Sequence, residues 1–181
     1  MVCPRCIKVV REDLEKLGLE VMQVELGEAV VKTPKGVIDL AAIRETLQSE
    51  GFALLEDKLA VVVEKIKAAT ILLIYSGDLE NRTVRFSEYI SEAVGKDYHT
   101  ISTVFSSAEH VTIEKYCILQ KVERAKELFS DREQSFNEIA RKLGYSSSAH
   151  FSNQFKQITG QSPTEFRKNP SSPRKSIDQI M

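Results

Sequence analysis

Apolar residues recur along the first third of the chain with two different periods. Ile7, Val10, Leu14 and Leu17 are spaced by three and four and stop at Gly18, which predicts an amphipathic helix. Residues 20 to 26, EVMQVEL, alternate Val21, Gln23 and Glu25 against Met22, Val24 and Leu26. Gly27-Glu28 then turns the chain into AVVKT, so a hairpin is expected. After Pro34-Lys35-Gly36, Asp39 precedes Leu40, Ile43 and Leu47 at helical spacing, Gly51 closes that helix, and FALL at 52–55 reads as a last strand. The predicted order is helix, strand, strand, helix, strand. A further helix is marked over 58–76 by Leu59, Val62, Ile66, Ala69 and Leu73, and Ser76-Gly77-Asp78 ends it.

From about residue 84 the pattern is helical throughout, with breaks near Gly95, His110, Asp131, Gly144 and Gly160. Within it, Phe136, Ile139, Ala140 and Leu143 form one stripe and Phe151, Phe155 and Ile158 a second, which specifies two amphipathic helices. Gly144 falls between them, where a left-handed turn is cheap for glycine, and Ser146-Ser147-Ser148 offers hydroxyls to the orphan amides of the following helix. A turn of three or four residues is expected there. Residues 86–110 show a weak internal similarity to 136–160, each reading as helix, short turn, helix. The tail NPSSPRKSIDQIM, with two prolines and three serines, is expected to stay mobile and carry no chemistry.

Charge sharpens the division. The chain has 25 Lys+Arg against 26 Asp+Glu. Residues 1–75 hold 10 basic and 12 acidic side chains, residues 76–111 hold 3 and 6, and residues 112–181 hold 12 and 8. An acidic front and a basic back suggest two units with different partners, although that basic excess is too mild to identify nucleic acid by itself. The uncharged apolar run Ala68 to Gly77 is far shorter than a membrane span. The N-terminus has no apolar core ending in a cleavage site, so a cytoplasmic location with reduced thiols is expected.

Two short amphipathic helices around a glycine turn suit a helix-turn-helix, whose second helix enters the DNA major groove with its N-terminal residues at base edges. Those positions are Ser148, Ala149, His150 and Asn153. Asparagine pairs bidentately with adenine, histidine and serine donate to purine acceptors, and Lys156, Lys142 and Arg141 are placed to neutralise phosphates. On spacing alone a helical hairpin that binds no DNA is an equal reading.

The ordered segments KVERAKELF at 121–129, FNEIARKLGYSSSAHFSNQFKQITG at 136–160 and QSPTEFRK at 161–168 carry a more specific signal. Residues 86–168 resemble the DNA-binding region of the AraC/XylS transcription regulators, which has two helix-turn-helix units joined by a long helix. The resemblance implies double-stranded DNA as partner. The first unit, ISEAVGKDYHTISTVF at 90–105, keeps the Gly95 turn and the Ile101/Phe105 pair, with Asp97 at the N-cap place where serine is common in that family. His110 stands where that family usually has glycine. Its recognition helix offers Tyr98, His99, Ser102 and Thr103 without Arg or Lys, so this unit is expected to bind more weakly.

At the other end, Met1-x-Cys3-x-x-Cys6 places two thiols at the head of a helix, where the dipole favours thiolate. Metal ligation, redox chemistry and no role are all open on this spacing. With the helix, strand, strand, helix, strand order that follows, residues 1–56 resemble the heavy-metal-associated domain of copper chaperones and transport ATPases, a ferredoxin-like fold. The resemblance implies a soft or borderline ion, Cu(I) or Zn(II), at Cys3 and Cys6, with Cu(I) the better match to two sulfurs. Thiol redox ranks second. That fold opens on a central strand that this chain lacks, so about five to eight alternating residues are expected to be encoded upstream of Met1. Cys117, among Tyr116, Ile118 and Val122, reads as a buried inert thiol.

These readings together predict an α+β chain. Residues 1–56 form a ferredoxin-like domain with its first strand apparently missing, 57–78 a connecting helix, 79–169 an all-α double helix-turn-helix domain, and 170–181 a disordered tail. The stripe on 58–76 has the spacing of a coiled-coil seam, which would make a homodimer. No nucleophile-base-acid set or phosphate-cradling glycine loop is present, so no enzyme is expected. The function expected is sequence-specific transcription regulation responsive to a thiophilic metal. The alternative is a metal-binding or redox module whose helical part makes protein contacts only.

Overall fold

The first helix, α1 (Pro4–Lys16), opens on a proline whose missing N–H costs nothing at a helix start. Its end is closed by the Gly18 amide, which donates to the Glu15 carbonyl at 2.9 Å. The computed structural model to which it belongs describes all residues except 2, 3, 26, 34, 35, 37, 77, 78, 80–83, 131–133, 171, 172, 174, 176–179 and 181. Two compact units divide the chain, Met1–Ala68 and Ala69–Met181.

In the first unit, β1 (Glu20–Glu25) pairs antiparallel with β2 (Glu28–Lys32), and α2 (Leu40–Ser49) follows. Asp39 caps α2 by accepting from the Ala41 and Ala42 amides, each at 3.0 Å. The hairpin register slips between Val21 and Gln23, a bulge that strict alternation does not anticipate. The extra residue leaves Met22 exposed, while Val24 is buried and Val21 packs beside it on the core. Val10, Leu14, Val24, Ile43 and Leu47 make that core.

Two expectations are corrected here. The FALL segment at 52–55 forms no strand: Phe52 and Leu54 pack on the core, yet the segment joins no ladder. The sheet of the described residues therefore has two strands, not the sheet of a ferredoxin-like domain. A strand exists only by hydrogen bonding to a neighbouring edge, and among the described residues this segment pairs with neither β1 nor β2. An open apolar cavity of about 570 Å³ remains, lined by Val31, Leu40, Ile43, Leu47 and Leu54 among others.

Helix α3 (Lys58–Tyr75) matches the predicted run, and the division between the units falls within it. Of its expected seam, Leu59 is exposed, whereas Ile66, Ala69 and Leu73 are buried within the chain. A second copy would have to uncover those three to pair along them. Among the described residues no helix is long and apolar enough to cross a membrane.

The second unit is helical: α4 (Phe86–Val94), α5 (Tyr98–Glu109), α6 (Ile113–Leu128), α7 (Phe136–Lys142), α8 (Ser148–Thr159) and α9 (Pro163–Lys168). Helix α6 touches both α5 and α8, so it joins two helical hairpins, α4–α5 and α7–α8. Ile90, Ile101, Phe105 and Ile113 are fully buried around the first hairpin. Around the second, Phe129 is the hub, with ring centroids of Phe136, Phe155, Phe151 and Phe166 at 5.4, 5.2, 6.2 and 6.2 Å. Fully burying each such ring contributes about 1.5 to 3 kcal/mol, and this is what holds α8 to α6 and α9. Cys117 lies in the same core, and burial pushes its thiol up to about 11. The tail assigned to 170–181 falls mostly outside the described residues, but the Lys175 amide donates to Glu123 at 2.9 Å and Ile180 is buried.

Candidate nucleic-acid interface

Helix α7 begins in a reciprocal cap. The Ser135 amide and hydroxyl both donate to the Glu138 carboxylate at 2.7 Å, and the Glu138 amide returns a bond to the Ser135 hydroxyl. It ends at Leu143, and Gly144 turns the chain at φ +71. A Cβ there would meet Leu79 Cβ at 3.3 Å, so steric room as well as backbone conformation reserves the position for glycine. Ser147, the middle serine of the three, caps α8 by accepting from the His150 amide at 3.2 Å. Five residues, 143–147, separate the helices, longer than the three or four expected.

On α8 the apolar stripe faces inward, with Phe151 and Phe155 fully buried. Its spacing puts Ala149, His150, Asn153 and Lys156 on the exposed face, and Ser148 is half-buried at the first turn. The structure thus gathers the second set of sequence-derived positions onto one surface. Arg141 and Lys142 are exposed on α7, and Lys142 Nζ donates to Gln134 Oε1 at 2.8 Å.

The first hairpin repeats the plan with different chemistry. Gly95 closes α4 in the left-handed conformation, and Asp97 caps α5 through the Thr100 amide and hydroxyl at 2.9 and 2.6 Å. The Thr100 hydroxyl and amide hold the Asp97 carboxyl below its usual range. His99 and Thr103 are exposed and Ser102 is half-buried. The Thr103 hydroxyl donates to the His99 carbonyl at 3.0 Å, so part of its bonding capacity is spent on its own helix. Tyr98 points elsewhere: its hydroxyl donates to Glu114 on α6, and burial together with that bond raises its phenol. Helix α5 carries no lysine or arginine, whereas α8 has Lys156.

A family model described as a helix-turn-helix domain matches residues 90–169. That match covers less than half of the chain and takes in both helical hairpins from within α4 to α9. The chain is also similar to the probable transcriptional regulator LumQ of Photobacterium leiognathi, 30% identical over 64 residues, which is 35% of this chain and 26% of that protein. The match therefore spans about a quarter of the curated relative.

Among solved structures, a transcriptional regulator with an AraC-type DNA-binding domain from Chromobacterium violaceum is 21% identical with a TM-score of 0.49, covering 60% of this chain and 94% of that one. The DNA-binding domain of the global transcriptional factor AdpA, solved with a target DNA, is 23% identical with a TM-score of 0.45, covering 65% and 100%. The transcriptional regulator CdpR from Pseudomonas aeruginosa is 16% identical with a TM-score of 0.46, covering 71% and 39%.

Two supports of the second hairpin escaped the sequence reading. Arg167 lies over the Phe136 ring at 4.1 Å and donates to the Gln134 carbonyl at 2.9 Å, tying α9 to the start of α7. Tyr145, in the turn, donates its hydroxyl to Gln154 Oε1 on α8 at 2.6 Å. The capping residues were readable because their partners lie three residues away. These pairs span 33 and 9 residues and exist only once the helices pack.

In the first unit, Cys6 is half-buried in the first turn of α1, and Cys3 lies outside the described residues. Among the described residues no group of three or more His, Cys, Asp and Glu side chains could hold a metal ion. The Cys3/Cys6 expectation rests on its sequence spacing alone.

Proposed function

We propose that this chain is an AraC-type transcription regulator that binds duplex DNA with α8 in the major groove. The observation that carries this reading is the single exposed face of α8, where Ala149, His150, Asn153 and Lys156 stand clear of a fully packed aromatic core. An α-helix fits the major groove, Asn153 is suited to an adenine edge, and Lys156 with Arg141 and Lys142 supplies phosphate contacts that position the helix. Helix α5, without lysine or arginine and with Tyr98 engaged by Glu114, is the weaker of the two readers. Metal control through Cu(I) or Zn(II) forms no part of this reading.

Selection of duplexes from a random library, followed by titration of the selected site, tests it. Asn153→Ala is expected to relax preference at one or two base pairs, at a cost of about 1 to 3 kcal/mol on the preferred site. Lys156→Ala is expected to weaken all duplexes alike. If both variants bind the selected site as the unaltered protein does, α8 is not the reading helix.

A further inference from the structure

Gln154 lies one turn beyond His150 on α8 and next to Asn153, at the border of the exposed face, and it is half-buried. Its carbonyl oxygen accepts the Tyr145 hydroxyl at 2.6 Å. Among the described residues its amide nitrogen donates to nothing. Tyr145 itself is 8% exposed and held on several sides. Lys121 Nζ lies 5.0 Å from its ring centroid, the His150 ring meets it edge-on at 5.5 Å, and the Phe151 ring is at 5.3 Å. A hydroxyl fixed this way fixes the orientation of the amide it bonds.

From this geometry we infer that Tyr145 is a specificity-determining residue which sets Gln154 as a hydrogen-bond donor toward the groove. The inference rests on the reading of α8 given above. A free glutamine recognises adenine by accepting from N6 and donating to N7 together. Here the tyrosine holds the carbonyl toward the buried turn, and only the NH₂ group is left to face a base. Guanine offers two acceptors on that edge, O6 and N7, and no donor. Gln154 therefore favours guanine over adenine at the base pair it meets, and Tyr145 imposes that choice without touching DNA.

Library selection and competition titration with Tyr145→Phe test this directly, because the phenyl ring keeps the packing and loses only the hydroxyl. Expected is a loss of about fivefold in guanine-over-adenine discrimination at one base pair, the factor a single neutral hydrogen bond supplies, with other positions unchanged. Gln154→Leu is expected to erase discrimination at that same base pair, and Tyr145→Phe is expected to add nothing in the Gln154→Leu background. A merely structural tyrosine would instead lower affinity for all duplexes evenly, and that result overturns the inference. So does a Tyr145→Phe profile identical to that of the unaltered protein. If Tyr145→Phe does not fold, Gln154→Leu decides alone, and an unchanged base preference overturns the inference. If the unaltered protein shows no salt-dependent binding to any duplex, the proposed function itself falls and this falls with it.

Discussion

His110 ends α5 with φ 57, the one described residue other than glycine in the left-handed region. A side chain there crowds the backbone, and glycine avoids that at some entropic cost in the unfolded chain. The two effects leave His110→Gly more stable by about 0.5 to 1 kcal/mol, so the thermal midpoint is expected to rise by a few degrees. Circular dichroism melts check this, and an unchanged or lower midpoint would show that the histidine side chain repays its strain. The position was legible as an oddity in the sequence, because a helix break near 110 without glycine stands out. Its conformation was not, since helices also close without a left-handed residue, as α6 does at Phe129.

At the scale of elements, two helices of the second unit start with the same reciprocal cap, Ser135/Glu138 on α7 and Ser162/Glu165 on α9. The serine amide and hydroxyl hold the Glu138 carboxyl below its usual range, and the serine hydroxyl and amide do the same for Glu165. A carboxyl depressed in the folded state contributes stability that is present above its unfolded pKa and is lost as pH falls through the folded value. Stability measured by urea titration is therefore expected to fall between about pH 5 and pH 3, and to fall less steeply in the Glu138→Gln, Glu165→Gln double variant. An equal slope would mean other carboxylates govern the acid response. The caps at Asp97 and in the Ser146-Ser147-Ser148 run, the glycine turns and the apolar stripes were read from the sequence because each is a local pattern, while these two Ser/Glu caps went unread. The hairpin bulge was not, because inserting Met22 turns Val21 and Val24 to the same face, which a period-two reading excludes. Nor was the fate of 52–55, since an apolar run becomes a strand only if a partner edge exists, and nothing local encodes that edge.

For the whole molecule, near-neutral net charge hides an uneven grip. The exposed cations at the proposed interface are Lys156, Arg141 and Lys142, so the logarithm of DNA affinity is expected to fall with the logarithm of salt at a slope of about −3. Fluorescence anisotropy across a salt series measures it, and a slope of about −6 or steeper would bring in a second set of cations. The regional charge count pointed toward this imbalance, and the structure sharpened it by showing which side chains face outward. An α5 without lysine or arginine also bears on how the proposed regulator would search a genome. On the proposed reading, the side chains of α8 assigned to base edges, Ala149, His150, Asn153 and Gln154, would spell a word of about four base pairs, which recurs about once in every 256 base pairs and so some ten thousand times in a genome of a few million. One such helix names a syllable rather than an address, and a unique location then has to come from several copies of the word read side by side.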